Sequence, residues 1–457
     1  MAGRVTSFAD HKTLCDLLCA LFALALLGAA LKLRARPRLS ALLISLTGVL
    51  VGLAMSADDF LHKWDERYHA LVALHLSWHP LLPTLYEAQP LPLSQDWLHG
   101  GVWLHKPPLP LWLMAGFLKL FGRSELCIRL PSVLLHGAAA YATARLGKLL
   151  FEDDRAGLLA CLLVAINGQL LDLASGRRAT DHPDSMLASL TCLSIWAALA
   201  DKPTRAGLLT GLAVLTKWLI GLLPFAVWFV HKRDWKRLLL AFVVCVAVAA
   251  PWTLYTSHAF PEAHARETHE RLLHLTTVVE EHGGGWWFHL VRTPRFFGEA
   301  SPLALVFFFW RRRGTPAWAP LLAWIALPYA FFSLVPTRME NYPLLAAPAF
   351  ALVIAAAALD LAALRRPLAT LVAAALVLLP LRYCVERWKP FQQFPEERAL
   401  AAQLRALPDE GRVLIVGSQH PIETMFYKDV IAVDETPPEA VLAPLRAQGW
   451  QIVTSGP

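Results

Sequence analysis

The feature that most constrains this chain is a series of apolar runs whose lengths match the thickness of a lipid bilayer. About twelve such runs occur, and a helix needs roughly 17 to 25 apolar residues to cross a hydrocarbon core. Of the 457 residues, 56% are hydrophobic and only 17% are charged, whereas globular domains carry about 25% charged residues. This composition excludes a soluble enzyme, a disordered chain and a disulfide scaffold. We predict an all-α polytopic membrane protein with about twelve transmembrane helices.

The predicted spans cover residues 14–33, 39–57, 108–121, 126–150, 155–172, 184–200, 206–230, 236–255, 286–310, 316–335, 342–363 and 367–386. The first span has no small-residue cleavage site after it and is followed by basic residues. We therefore predict that it is a retained span and not a signal peptide.

The Lys and Arg residues predict the orientation of these spans. They concentrate in four loops: Lys32 to Arg38, Lys232 to Arg237, Arg311 to Arg313, and Arg365 with Arg366. Basic loops lie on the cytoplasmic side. The net charge of +7 does not indicate nucleic-acid binding, because no basic tract is interleaved with aromatic residues.

This orientation predicts six regions along the chain. Residues 1–57 form two N-terminal spans, 108–255 and 286–388 hold the remaining spans, and 58–107, 256–285 and 389–457 lie outside. Within the first external segment, residues 70–78 are expected to lie in the membrane interface. The last segment alternates helical and β patterns, so we predict a small α/β domain there.

Two charged motifs bound the first external segment. Asp65 and Glu66 begin it, and adjacent carboxylates at a membrane surface could bind a divalent cation or take a proton from an acceptor hydroxyl. The alternative is a solvated acidic pair beside Arg67. Lys106 ends the segment between His105 and two prolines, so its charge is rigidly placed for a phosphate head group. The alternative is a snorkelling lysine.

The order of several motifs resembles bacterial members of the protein O-mannosyltransferase and lipid A aminoarabinose-transferase family. The resemblance extends over about residues 55–350, and the order is more specific than any single motif. The matching motifs are Asp65-Glu66, His105-Lys106-Pro107-Pro108-Leu109, Arg129-Leu130-Pro131-Ser132, Asp184-Ser185-Met186-Leu187, Thr216-Lys217, Glu281-His282, and Arg338 with Tyr342-Pro343.

The resemblance implies a C-type glycosyltransferase fold and a polyprenyl-phosphate-linked sugar as the donor on the external face of the cytoplasmic membrane. It implies that Asp65, with Glu66, acts on the acceptor, and that Lys106 neutralises the leaving phosphate. Arg67 is a weaker candidate for the phosphate, because the family usually carries its arginine or tyrosine one position later. The chain has no Walker loop or dinucleotide fingerprint, so we expect no nucleotide cofactor.

A divalent metal, zinc or magnesium, is also implied by the family. Its aminoarabinose-type members bind zinc with a Glu immediately before the conserved Lys and a His in a later external loop. In this chain His105 and His282 occupy those two positions. Imidazole is a good zinc ligand, so one expectation is a site made by His105 and His282 with the lipid phosphate as a further ligand. Interfacial histidines without metal are the other.

Further charged residues occupy family landmarks inside or beside the spans. Lys217 lies near the middle of an apolar run, where a charge costs roughly 2.5 to 3.5 kcal/mol, and Asp184 is its expected partner. Counting spans places Asp184 toward the cytoplasmic side. Arg338 and Tyr342 flank an external turn, where they would contact the phosphate or serve as ordinary interfacial anchors.

The sequence therefore predicts a hexosyl or pentosyl transferase of the external leaflet. Its acceptor would be a lipid, a protein hydroxyl or an envelope polymer. A transporter or flippase of lipid-linked sugar is the alternative, although transporters commonly carry paired repeats that this chain lacks.

Overall fold

The chain folds into a helical bundle with a small sheet near its C-terminus. The structure, a computed structural model, describes residues 12–91, 98–389, 392, 394–407 and 412–454. The first ten helices are α1 Lys12–Lys32, α2 Pro37–Met55, α3 Asp65–Leu76, α4 Pro108–Phe121, α5 Glu125–Phe151, α6 Asp154–Ala165, α7 Gly168–Ala174, α8 Asp181–Leu199, α9 Pro203–Lys217 and α10 Leu223–His231. The others are α11 Trp235–Ala259, α12 Pro261–Thr276, α13 Thr293–Phe297, α14 Ser301–Arg311, α15 Trp318–Leu334, α16 Ala347–Ala363, α17 Pro367–Trp388, α18 Pro395–Arg405, α19 Pro421–Tyr427 and α20 Glu439–Ala447.

Helical structure occurs in every predicted span, and the predicted fold class is confirmed. Judged by length and composition alone, six continuous helical segments within the described residues could cross a membrane: Leu14–Lys32, Pro37–Met55, Pro203–His231, Trp235–Ala259, Tyr342–Ala363 and Pro367–Trp388. Helices α6 and α7 bend by 50° and give a seventh if they are taken as one span. The remaining predicted spans fall on shorter, broken or more polar helices.

The predicted C-terminal α/β domain is confirmed. Strands β1 Val413–Val416, β2 Ile431–Ala432 and β3 Gln451–Thr454 form a parallel sheet in the order β2-β1-β3. Strand β1 is central and fully buried, which agrees with its unbroken apolar sequence.

The two ends of the bundle carry different loops and ion pairs. At one end, Lys232 lies 3.3 Å from Asp201, and Arg312 lies 2.7 Å from Asp360. The four basic loops of the sequence lie at this end, which we call the basic end. At the other end, Arg177 pairs with Asp58 at 2.8 Å. That end also holds the start of α3, and we call it the site end.

Helix α4 does not cross the bundle, although it was predicted as a span. Its 14 residues begin beside Lys106 and end before Arg123, which pairs with Asp429 of the C-terminal domain. Both ends therefore lie at the site end.

The predicted span at 206–230 is a hairpin rather than one pass. After α9 the chain reverses at Trp218, whose φ of 56° breaks the helix. The following 3₁₀ segment packs back on α9, so that a β-carbon on Gly221 would lie 2.5 Å from the backbone of Ala213 and Val214. Helix α10 then returns to the basic end, where Lys232 meets Asp201.

Helix α3 is buried, contrary to the interfacial position expected for residues 70–78. Residues from Ala70 to Leu76 are at most 8% exposed. They share one hydrophobic cluster with α4 and with the sheet of the C-terminal domain. The domain therefore covers α3 and removes its apolar face from both water and lipid.

The hairpin at Trp218 yields a test of the fold. Gly221→Ala would force a β-carbon into the backbone of α9, and we expect a loss of roughly 1 to 3 kcal/mol from overpacking. Gly116→Ala is the control, because a β-carbon on Gly116 of α4 would meet nothing within 4 Å. Thermal unfolding in detergent should show a lower Tm for Gly221→Ala alone. Equal Tm values for the two variants would contradict the close packing of the 3₁₀ segment on α9.

Candidate active site

Asp65 and Lys106 form the centre of the candidate site. Asp65 is the first residue of α3, and its Oδ2 lies 3.1 Å from Lys106 Nζ, with both side chains 18–19% exposed. Burial alone would raise the pKa of Asp65, but Lys106, followed by His69 and His105, holds it well below its ordinary range. Asp65 is therefore an ionised carboxylate that retains access to solvent.

The segment before α4 positions Lys106. Pro107 has an extended backbone and caps α4, which begins at Pro108, so the lysine precedes a rigid helix start. His105 Nε2 lies 3.2 Å from Lys106 Nζ, and His105 Nδ1 lies 3.6 Å from Glu267 of α12. Burial and Lys106 together lower the pKa of His105 to about 4, so its ring is neutral at neutral pH.

Glu66 does not share the catalytic position predicted for it. Its carboxylate is fully buried and accepts hydrogen bonds from Arg129 Nε at 2.7 Å and Arg129 Nη2 at 3.0 Å. The backbone N–H of His62 also donates to it at 2.5 Å. Burial would raise the pKa of Glu66, but Arg129 and His182 outweigh it and hold the pKa well below its ordinary value. Successive helix residues point about 100° apart, so Glu66 is directed into the protein and has a structural role.

Arg67 also differs from its predicted role in phosphate binding. Arg67 Nη1 donates to Glu423 Oε1 of α19 at 3.1 Å, and its guanidinium lies 5.2 Å from the ring centroid of Tyr68. This ion pair connects α3 to the C-terminal domain. The structure thus assigns Arg67 to that contact instead of the phosphate beside Lys106.

Lys217 pairs with Asp184, as predicted, but at the site end. Lys217 is the last residue of α9, and its Nζ donates to Asp184 Oδ1 at the start of α8. The same ammonium lies 4.6 Å from the ring centroid of Tyr342. Asp184 lies at the end opposite the basic loops, contrary to the expected cytoplasmic side, because α4, which precedes it, does not cross. The hairpin of α9 and α10, which follows Asp184, adds a compensating reversal. These two errors leave the number of passes unchanged while reversing the assignment between them.

Tyr342 connects the two charged pairs. Its hydroxyl is within electrostatic reach of Asp184 and also of Lys106 and Asp65. His274 of α12 lies near the same groups, and burial, followed by Lys106 and Lys217, lowers its pKa below the ordinary range. Two lysines, two carboxylates, a phenol and a neutral imidazole therefore share one region.

Arg338 was a candidate for phosphate contact in the sequence. In the structure its guanidinium instead donates to backbone carbonyls. Its Nη2 donates to the carbonyl of Ser333 at 2.9 Å, and its Nη1 donates to the carbonyl of Gly284. The Arg338 backbone N–H donates to the carbonyl of His282 at 2.7 Å. Arg338 thus fixes the loop that carries His282.

The predicted metal ligands His105 and His282 have other neighbours in the structure. His105 Nε2 faces an ammonium group, and His282 is 42% exposed with Nε2 4.0 Å from Glu280. Among the described residues, no group of three or more His, Cys, Asp or Glu side chains is placed to hold a metal ion. A structural or catalytic zinc site needs at least three protein ligands. The metal stays a prediction.

Sequence reasoning missed several residues behind Asp65. His69, one helical turn later, lies 3.0 Å from Asp181, and both are buried. Trp64 directly precedes Asp65 and has a φ of 73°, and Trp218 directly follows Lys217 and has a φ of 56°. A residue other than glycine with such a positive φ is strained by of order 1 to 3 kcal/mol, and strained residues of this kind cluster at functional sites. Glu267 and His274 of α12 are seven residues apart, which places them on one face of the helix. This spacing was the signal in the sequence that one face of α12 contributes to the site.

These observations define a multispanning membrane protein with a polar site at one end of its bundle, and comparisons with known proteins specify its class. Residues 105–255 match the family described as dolichyl-phosphate-mannose-protein mannosyltransferase. The undecaprenyl phosphate-α-4-amino-4-deoxy-L-arabinose arabinosyl transferase of Pseudomonas paraeruginosa is 30% identical over 352 residues, which are 66% of this chain and 62% of that protein. The corresponding transferase of Pseudomonas aeruginosa strain LESB58 is 29% identical over 55% of this chain and 51% of its own length.

Solved structures show the same fold. ArnT from Cupriavidus metallidurans bound to undecaprenyl phosphate aligns over 90% of this chain and 88% of its own, with a TM-score of 0.61 and 19% identity. The archaeal oligosaccharyltransferase AglB from Archaeoglobus fulgidus, in complex with an inhibitory peptide and a dolichol-phosphate, aligns over 88% of this chain and 65% of its own, with a TM-score of 0.57 and 15% identity.

The resemblance indicated by the motif order is confirmed. The chain is similar to lipid A aminoarabinose-transferase-like members of the mannosyltransferase family. It spans from about half to 62% of the length of the two curated relatives described above.

The buried pair between Arg129 and Glu66 yields a test of the scaffold. Arg129→Met would remove the guanidinium from the buried Glu66 carboxylate, and breaking a buried ion pair typically costs about 3 to 5 kcal/mol. Arg155→Met is the control, because Arg155 is 81% exposed and pairs with Asp153 at the basic end. We expect a much lower Tm for Arg129→Met and no measurable change for Arg155→Met. A stable Arg129→Met protein would show that Glu66 has another compensating partner.

Proposed function

We propose that this protein is an integral membrane glycosyltransferase. It transfers a hexosyl or pentosyl group from a polyprenyl-phosphate-linked donor to an acceptor hydroxyl, with inversion, at the external face of the cytoplasmic membrane. The observation that carries the proposal is the contact of 3.1 Å between the Asp65 carboxylate and the Lys106 ammonium at the site end. The curated relatives, which are named as transferases of an undecaprenyl-phosphate-linked sugar, support the same class.

Each member of the pair has a separate task in the transfer. The acceptor oxygen attacks the anomeric carbon while the bond between that carbon and the phosphate oxygen breaks. The electron pair of the broken bond leaves with the phosphate, whose charge Lys106 neutralises. Asp65 orients the acceptor hydroxyl and accepts its proton. Attack from the side opposite the phosphate inverts the anomeric configuration.

Donor binding would prepare Asp65 for this role. Lys106 is the first of the positive charges that hold the pKa of Asp65 low. A lipid phosphate beside Lys106 would add negative charge near Asp65, which favours the protonated form of the carboxyl. The proton affinity of Asp65 therefore increases when the donor is present.

The second charged pair extends the polar surface away from Asp65. Lys217 is shared between Asp184 and the face of Tyr342, and His274 is neutral nearby. We assign Lys217 to a further phosphate oxygen, and the imidazole of His274 and the phenol of Tyr342 to hydrogen bonds with sugar hydroxyls. The basic end lies opposite, which supports an external site through the positive-inside rule.

Removing the Asp65 carboxylate tests the enzyme assignment. Asp65→Asn keeps the shape but loses the base, and we expect a loss of about 10²- to 10⁴-fold in the transfer rate. Asp429→Asn is the control, because Asp429 is 75% exposed on the C-terminal domain. Turnover would be followed in detergent with a panel of undecaprenyl-phosphate-linked sugars, aminoarabinose among them, and with envelope lipids and proteins as acceptors.

The detergent assay also distinguishes a glycosyltransferase from a transporter or flippase. A micelle has no sealed compartments, so a transporter or flippase would show no chemical conversion there. Full activity of Asp65→Asn would contradict the assigned base. Absence of conversion by the unaltered protein, together with lipid movement in sealed vesicles, would favour transport.

Replacing Lys106 tests the phosphate assignment. Lys106→Ala removes the charge that faces the leaving group, and we expect kcat/KM for the donor to fall by about 10²- to 10³-fold. Lys106→Arg should recover part of the loss because it restores the charge. Lys148→Ala is the control, because Lys148 is 44% exposed and pairs with Asp154 at the basic end. Unchanged kcat/KM in Lys106→Ala would assign the phosphate to Lys217 instead.

A further inference from the structure

Two loops at the basic end meet in a surface that the proposed transfer reaction does not use. One loop joins α8 to α9, and the other joins α10 to α11. Lys232 lies 3.3 Å from Asp201, and Arg237 also pairs with Asp201. Arg237 is paired in addition with Asp234 at 3.3 Å. These ion pairs hold the two loops side by side.

Positive charge exceeds negative charge on this surface. Residues 201–205 and 231–237, which we call the basic surface, contain six Lys or Arg residues but only two Asp residues. Both aspartates are already paired with Lys232 and Arg237. The other basic side chains are exposed and form no ion pair within the part of the chain that the structure describes: Lys202, Arg205, Arg233 and Lys236. A surface with this excess attracts anions.

The two helices that leave the basic surface are parallel and closely packed. Helices α9 and α11 both begin at the basic end and run toward the site end. A β-carbon on Gly207 of α9 would lie 2.3 Å from the carbonyl oxygen of Ala241 of α11, so the two backbones are in direct contact near their starts. Each helix N-terminus carries roughly half a positive charge. The two N-termini therefore add to the field of the basic side chains.

Next to the charges, the surface of α11 is apolar and exposed. Trp235, its first residue, is 68% exposed, and Leu239 and Val243 in the following turns are 62% and 56% exposed. The guanidinium of Arg233 lies 5.6 Å from the ring centroid of Phe229. Because α11 is a candidate membrane span, Leu239 and Val243 would contact lipid chains, and Trp235 would lie at the membrane interface, as is typical of tryptophan.

This succession of charged, aromatic and aliphatic groups matches an amphiphile. Free phosphate would use the charges alone, and a nucleic acid would leave the apolar strip of α11 without a contact. A zwitterionic phospholipid carries a positive group of its own, which the excess positive charge repels. A phospholipid with a net negative headgroup satisfies both parts of the surface, and basic clusters at the membrane surface attract such lipids.

We infer that the basic surface binds an anionic phospholipid of the leaflet at the basic end. The lipid phosphate lies between the two loops, where Lys202 belongs to one and Lys236 to the start of the helix after the other, and the acyl chains follow α11. The bound lipid thereby connects the hairpin of α9 and α10 to α11. The inference concerns the end of the bundle opposite the candidate active site, and it does not rest on the proposed function.

Native mass spectrometry of the full chain in detergent tests the inference. The probes are dioleoyl-phosphatidylglycerol, dioleoyl-phosphatidylcholine and inorganic phosphate. We expect phosphatidylglycerol to bind with a lower Kd than phosphatidylcholine and to resist displacement by inorganic phosphate. Lys202→Ala combined with Lys236→Ala should weaken its Kd about 25-fold, because each basic residue near an anionic headgroup contributes about fivefold. Arginine at both positions should restore binding.

A matched control removes the same charge elsewhere at the basic end. Lys148 is paired with Asp154 at 3.0 Å, and Arg155 is paired with Asp153 at 3.1 Å. Lys148→Ala combined with Arg155→Ala should therefore leave the Kd for phosphatidylglycerol unchanged. The Tm without added phosphatidylglycerol should be the same for both double variants, because all four side chains lie on the surface. An equal loss of binding in the control would contradict a local site.

Crosslinking locates the bound lipid. A phosphatidylglycerol with a photoreactive diazirine near its headgroup should crosslink to peptides that contain residues 201–205 or 231–237. Lys106→Ala should give the same crosslinks, because Lys106 lies at the site end. Equal Kd values for the two lipids, an unchanged Kd in the double lysine variant, or crosslinks confined to other parts of the chain would overturn the inference. Displacement by inorganic phosphate would overturn it as well, since the site would then recognise phosphate alone.

Discussion

The buried guanidinium of Arg129 is the interaction on which the site depends. It donates to both oxygens of Glu66 and to the backbone carbonyls of Ser56, Asp58 and Phe60. These contacts tie the end of α2, the turn after it and the start of α3 to α5. The desolvation cost of a charge at 0% exposure is offset only because nearly every donor is used. The direction of Asp65 follows from this anchoring.

The two adjacent carboxylates show how one helix start serves both structure and chemistry. Glu66 is directed inward and is saturated by Arg129, whereas Asp65 is directed toward Lys106 and remains partly exposed. The motif match treated them as a unit. Burial separates them, since a carboxylate enclosed by a guanidinium has no free position for an acceptor. The ion pair of Arg67 with Glu423 then joins the same helix turn to the C-terminal domain.

Topology shows where pattern reasoning succeeded and where it failed. Apolar runs located the helices, and basic residues correctly identified loops that share one end of the bundle. The run at 108–121 was interpreted as a pass, and 206–230 as one pass instead of two. A hydrophobic sequence is expected both for a helix in lipid and for a helix packed inside protein. Hydrophobicity therefore cannot distinguish α4, which packs against α3 and α5, from a membrane span. The reversal at Trp218 depends on packing of Gly221 against α9, a contact that no local pattern encodes.

The sequence by itself determined the helical membrane class and the C-terminal α/β domain, because periodicity and composition are local properties. The match of Lys217 and Asp184 to family landmarks predicted that these two residues pair. It also singled out Asp65 and Lys106 as candidates. Only the tertiary structure decided that these two side chains meet across 41 positions of sequence, that Glu66, Arg67 and Arg338 have other partners, and that Asp184 faces the same end as Asp65. Such contacts depend on how distant helices pack, and packing is a property of the whole chain.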